Sequence, residues 1–416
     1  MTLARSFALL LACATVATRL QAQADTIPPP HEPLAYEITL ATSDTGAHIV
    51  AEVQTGWRLH SVRPVELGLD STLRVVRVLV DGKPNTRLSR TMYAREGSTV
   101  VVPHEKPPGD TLSTRVRYHG IPRGGMRVGL DRAGRRALAG ESAGNLARLW
   151  LPVPDSLDGR TAVTYHIQAS EGQRVVANGT LEKVDTLNYG HFTWHFRLAT
   201  PIPLQSFALA VGRFAVTTLP RTACAAPCAP VTVWTAPEDS AAALRGPLGQ
   251  AGAIADFLAG LLGPLPYPSL AHVAVPLAPL GRGASVVLYD ADRVHQGKLA
   301  ERDVALATAA QWFGNVVTES GPMAERPSPA VAAYLALLWE RRGGKRSGGA
   351  APAPQVEAVQ RLHRTVGDSV FFRGLRRYVE AHRNATAEAG ALERTMSDAA
   401  GKPLDWSYER AVRAGR

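Results

Sequence analysis

A hydrolytic metal site of the His-Glu-x-x-His kind puts two imidazoles four residues apart on one helix face, with the glutamate acting as general base on the metal-bound water. His-Glu occurs in this sequence at His31-Glu32 and His104-Glu105, both in Pro-flanked loops with no histidine four residues on. Asp290, Asp292 and His295 follow a predicted strand, and Glu319 and Glu325 follow a predicted helix. An Asp-x-Asp in a turn ordinarily caps its own backbone, so no compensating metal site is expected there. His191 and His195 stand in one predicted strand, about 13 Å apart at ~3.3 Å per residue, too far to share a metal. Cys224 and Cys228 are too few for zinc, which takes about four ligands. A small disulfide loop is the expected reading of the pair in an exported protein, with two free thiols as the alternative. No serine lies in a nucleophile-elbow glycine pattern.

These residues sit in a chain of 416, long enough for two or three domains. With 45% hydrophobic and 20% charged residues, wholesale disorder is excluded. Six of the 46 basic residues are lysines and the other 40 are arginines, spread along the chain. The net charge of +10 therefore forms no stripe with interleaved aromatics, and no nucleic-acid partner is expected. Residues 1–24 read as a signal peptide: Arg5, an apolar run from Phe7 to Ala17, then Ala22-Gln23-Ala24 before a cut at Asp25. Leu10-Leu11-Ala12-Cys13 is an atypical lipobox, so lipoprotein anchoring through Cys13 is the minor alternative. No later stretch reaches ~18 apolar residues, so a soluble periplasmic or secreted mature chain is expected, with no transmembrane segment.

Residues 25–220 alternate or run β-branched, with strands expected at Tyr36–Ala41, His48–Val53, Leu73–Val80, Ser98–Val102, Leu112–Tyr118, Ala162–Ala169, Arg174–Val176, Phe192–Leu198 and Phe207–Val216. Short strands without helical period imply an antiparallel saddle or sandwich. Residues 221–231 are a linker holding the cysteine pair. In 232–342 the period changes: a helix over Ala241–Leu262 stopped by Gly263-Pro264, strands at His272–Pro276 and Ser285–Tyr289, and helices over Asp303–Phe313 and Pro329–Glu340. A Gly/Pro-rich loop over 343–355 is expected to be mobile. Helices at Val356–Val366, Val370–His382 and Ala391–Ala399 complete 356–416. The expected fold class is α+β and multidomain.

Several stretches resemble the zinc aminopeptidases typified by aminopeptidase N and leukotriene A4 hydrolase. They are Ala147–Asp155, Val175–Leu181, Ala210–Phe214, Gly263–Pro268 and Gly367–Val379, in the family's order, over about 25 to 416. The resemblance implies a β-saddle domain followed by a thermolysin-like α/β and helical domain. The family's zinc helix ends in Gln-Trp-Phe-Gly-Asn, which stands here as Gln311-Trp312-Phe313-Gly314-Asn315. Counting back, the histidine positions hold Leu306 and Ala310, the general-base position Ala307, and the third-ligand position Pro329. None of these side chains binds a metal or accepts a proton.

The amine-binding Gly-x-Met-Glu-Asn loop is replaced by Gly281-Arg282-Gly283-Ala284-Ser285, and Arg282 repels an N-terminal ammonium while favouring a carboxylate. The family's oxyanion tyrosine falls near Pro352, where no tyrosine lies between Tyr334 and Tyr378. Zinc serves intact members, but no cofactor is expected here. Two functions follow from these residues: a non-catalytic module binding peptides or another exported protein, or an active metallo-aminopeptidase with unrecognised ligands. The former pocket is expected to pack as core around Leu306, Ala307, Ala310, Val331 and Ala332, or to persist as a residual groove.

Overall fold

The computed structural model describes residues 29–43, 45–84, 93–156, 159–224, 228–278, 281–321, 326–342 and 352–413. The predicted signal segment with Cys13, Glu325 and residues 343–351 of the predicted loop lie outside them.

In Ile49–Leu59 every second residue is buried, from Ile49 through Trp57 to Leu59, as a strand with one face on a core requires. That strand lies near the middle of an eight-stranded sheet, in the spatial order Thr180–Thr186, His191–Pro203, Arg160–Ser170, His31–Thr42, Ile49–Leu59, Thr111–Gly120, Arg74–Val80, Lys83–Pro84. The sheet is not antiparallel throughout as expected: His31–Thr42 runs parallel to Arg160–Ser170, Tyr36 opposite Val163. Alternation within a strand reports burial and leaves direction open. Parallel pairing needs a long crossover, and residues 43–159 supply it. A four-stranded and a three-stranded sheet complete this half.

The expected strand Phe207–Val216 breaks at Gly212. Ala208–Gly212 joins the four-stranded sheet, while Ala215–Leu219 pairs antiparallel with Val231–Thr235. The cysteine-bearing connection is therefore the loop of a hairpin belonging to a second, five-stranded sheet, ordered Ala215–Leu219, Val231–Thr235, Leu270–Val275, Val286–Asp290, Gly281–Arg282. Leu270–Val275 is buried at every residue, as befits a central strand covered on both faces.

Eight helices cover the described residues of this half: α1 (Ser240–Arg245), α2 (Ala251–Leu262), α3 (Ala291–His295), α4 (Glu301–Ala309), α5 (Ser328–Arg341), α6 (Pro354–Ala381), α7 (Ala391–Ala400) and α8 (Tyr408–Arg413). The single helix expected over Ala241–Leu262 is split into α1 and α2 at Gly246-Pro247, because proline lacks the N–H that would continue the ladder. The two helices expected around Gly367 are both present within α6: the backbone leaves helical geometry at Gly367, which takes φ 74° and ψ 165°, and resumes it afterwards. No described helix is long and apolar enough to cross a membrane. Apolar residues of both halves join in one continuous core, from Tyr36 and Trp57 to Leu375 and Met396.

Candidate functional site

Helix α4 carries two of the four positions singled out in the sequence, Leu306 and Ala307. Val304, Ala305 and Ala307 face the core, so Ala307 is fully buried, and Leu306 packs half-buried against the same core. Ala310 caps α4, and Pro329 opens α5 one residue in. Ala310 and Pro329 line a cavity of about 240 Å³ together with Arg282, Ser206, Asn315, Glu319, Arg326 and Ala332. The cleft is thus open, with polar groups set among a mainly apolar lining, and is not filled with core. It brings together Ala310, Pro329 and Arg282, but neither Leu306 nor Ala307 lines it.

The metal test is chemical. Hydrocarbon side chains at Leu306, Ala310 and Pro329 offer no lone pair. Among the described residues no group of three or more His, Cys, Asp or Glu is placed to hold a metal ion. The residues present therefore do not fit zinc at this cleft. Asp290 accepts the Asp292 N–H at 3.1 Å and caps α3, as an Asp-x-Asp turn is expected to. His295 turns away to Asp239, 3.0 Å from its Oδ1.

The surviving signature has a structural task. Gln311 Oε1 accepts the Ser285 N–H at 2.9 Å, and its Nε2 donates to Gly283 O at 3.1 Å. Asn315 Nδ2 donates to Arg282 O at 3.2 Å. Together they fasten the segment that presents Arg282. Ser285 holds a left-handed φ of 62° there, a conformation that needs such fixing in a non-glycine residue. Gly283 leaves no room for a side chain: a Cβ would lie 2.5 Å from that of Ala208.

Arg160, reaching from the eight-stranded sheet, donates to Asn315 O at 2.9 Å, Val316 O at 2.8 Å and Thr318 Oγ1 at 3.1 Å. Burial lowers its pKa to about 10, which leaves it cationic at neutral pH. Glu319 is buried at the cavity wall, where Oε1 accepts from Ser328 Oγ at 2.5 Å and Tyr378 OH at 3.0 Å. Burial pushes its pKa up, against the pull of those hydroxyls and of Arg326. Arg282 is exposed at the cleft, yet surrounding protein lowers its pKa, with Asp303 and Tyr289 opposing. Sequence reasoning missed Ser206 and Arg160, which reach the site from elements remote in sequence, and Arg326, which lies close to Pro329 but in no motif.

This arrangement of a β-rich half, a five-stranded sheet and a helical lobe is the two-domain fold of M1 zinc metallopeptidases. An M1 zinc metallopeptidase from Deinococcus radiodurans superposes with TM-score 0.74 at 19% identity, covering 93% of each chain. Mutants of a two-domain M1 zinc metallopeptidase bound to L-tryptophan and to L-arginine give TM-scores of 0.76 and 0.77, each at 20% identity over 93% of this chain and 94% of theirs. No protein-family model matches the sequence, and no curated protein matches it.

Proposed function

We propose that this chain is an exported, non-catalytic counterpart of the M1 metallopeptidases that binds peptide or protein carboxylates in its cleft. One observation carries the reading: Ala310 and Pro329 face the cavity where the resemblance calls for a histidine and a glutamate, and Ala307 lies buried where it calls for the base. Without a base, proton transfer loses typically ~10²–10⁴-fold in rate. The cleft keeps peptide-sized space, and structures of the fold have been solved bound to amino acids and to a Tyr-Ser-Ala substrate. Arg282 and Arg326 give its wall positive charge, which attracts a C-terminal carboxylate and repels an N-terminal ammonium. Export is supported by the Cys224–Cys228 disulfide, and the signal-like order of residues 1–24 puts the mature start near Asp25.

Metal analysis of the purified chain, paired with alanyl and leucyl reporter substrates, tests the loss of chemistry. No zinc held at the cleft and no cleavage are expected; chelator-sensitive hydrolysis overturns it. The variant L306H/A307E/A310H/P329E should gain a zinc ion that the parent does not bind. A peptide library presented with free and with amidated C-termini tests the ligand class. Free carboxylates should bind about tenfold or more tighter, and R282A should abolish the preference.

A further inference from the structure

Glu319 ends the short strand Val317–Glu319 and stands in the wall of the cleft with only 4% of its surface exposed. Ser328 Oγ, in the first turn of α5, and Tyr378 OH, on α6, both donate to its Oε1, at 2.5 and 3.0 Å. Oε2 is thereby the oxygen left to the cavity. The same cavity of about 240 Å³ presents two cations, Arg282 and Arg326. An ionised acid in that wall would repel the carboxylates that the arginines attract; a protonated one would donate a hydrogen bond to them.

Several elements place charged or titratable groups around this carboxyl. Arg326, just before α5, favours its ionised form and spends its Nε on Gly321 O at 2.8 Å. On α6, His382 tilts against the Tyr378 ring at 4.9 Å, and Glu393 and Arg394 of α7 act on the same tyrosine. Tyr408 of α8 feels the charge of Glu319 as well. Arg160, from the eight-stranded sheet, donates to Thr318 beside it. Burial outweighs the pull of Ser328, Tyr378 and Arg326 and raises the pKa of Glu319, which brings the protonated acid within reach.

Resting on the carboxylate-binding reading above, we propose that Glu319 is a ligand-binding residue of the cleft, holding the ligand carboxylate through Oε2 by one shared proton, so that ligand and proton are taken up together. Two carboxylates at hydrogen-bond distance cannot both stay ionised. The proton comes from solvent and leaves the ligand's charge to Arg282 and Arg326. The O–H···O⁻ bond it makes is of the short, strong kind. Because the bound state keeps the proton to higher pH than the empty cleft, capture is tightest in acid and weakens as pH rises.

N-acetylated tetrapeptides with free and with amidated C-termini, titrated calorimetrically into the purified chain between about pH 5 and 8 in buffers of different ionisation enthalpy, test the coupling. The free acids should bind with uptake of up to about one proton and with a Kd that rises as much as about tenfold per pH unit. E319Q offers an N–H donor that does not titrate, and should lose both the uptake and the pH slope. H382N, which removes the histidine stacked on Tyr378, should keep both. Free acids bound by the parent without proton uptake, or by E319Q with the parental slope, overturn the proposal and leave the carboxylate reading standing. No binding of acids, or equal binding of acids and amides at every pH, overturns that reading and the proposal with it. Should E319Q fail to fold, judged by circular dichroism, proton uptake by the parent and by H382N decides.

Discussion

Ser206 Oγ donates to Asn315 Oδ1 at 2.7 Å, with both side chains buried. Ser206 belongs to the turn between two strands of the β-rich half and Asn315 to the segment after α4. The bond joins the halves across the cleft wall, and Asn315 passes the constraint on to the backbone of Arg282.

Removing either partner should be costly because the other is left buried and unpaired. N315A is expected to lose about 2–3 kcal/mol in urea unfolding, and S206A about 1–2 kcal/mol. N315A should also weaken carboxylate binding, since Arg282 loses its backbone anchor. Equal stabilities of N315A and the parent would contradict this.

Arg160 holds two carbonyls and one hydroxyl of the loop after α4. R160A should destabilise by about 3 kcal/mol, and R160K should recover only part of this, because an ammonium lacks the planar fork. Chemical denaturation of the three proteins measures the order.

Glu319 gives a pH signature. Its folded-state pKa is raised by burial, so the folded state binds its proton more tightly than the unfolded chain. That contribution is fully present below the ordinary carboxyl pKa and is lost as pH rises through the folded value. The melting temperature of the parent should therefore fall relative to that of E319Q as pH increases above the acid range. A constant difference between the two would refute it. E319A should cost about 1–3 kcal/mol, because the Ser328 and Tyr378 hydroxyls lose their acceptor.

The Cys224–Cys228 bridge closes a short loop, with a Cα–Cα distance of 5.8 Å. Thiol labelling of the unreduced, denatured mature protein should find neither cysteine free. The double variant C224S/C228S should lose about 2 kcal/mol at most. The same connection is also fastened by Arg221, buried and 2.5 Å from Asp256 Oδ1, and by the Thr222 N–H on Oδ2. R221A leaves the buried Asp256 carboxylate with backbone N–H donors but no countercharge and should cost more, about 3 kcal/mol. Comparative melting ranks the two.

Much of the architecture was legible one element at a time. The runs His48–Val53 and His272–Pro276 were readable as strands, and Asp303–Phe313 and Pro329–Glu340 as helices; the structure extends or trims each to Ile49–Leu59, Leu270–Val275, Glu301–Ala309 and Ser328–Arg341. The absence of donor side chains at Leu306, Ala307, Ala310 and Pro329 was likewise readable, since side-chain chemistry needs no coordinates. Direction, register and breaks were not: the parallel pairing of His31–Thr42 with Arg160–Ser170 and the change of sheet at Gly212 rest on partners far along the chain. His195 shows the division most clearly. By sequence it was measured against His191, in the same strand and out of reach, whereas its contact is His166, 29 residues away. The open cleft with Glu319, Arg326 and Ser206 on its wall was decided the same way. Local periodicity sets which face of an element is buried. Long-range hydrogen bonding and packing alone set which side chains from different elements meet.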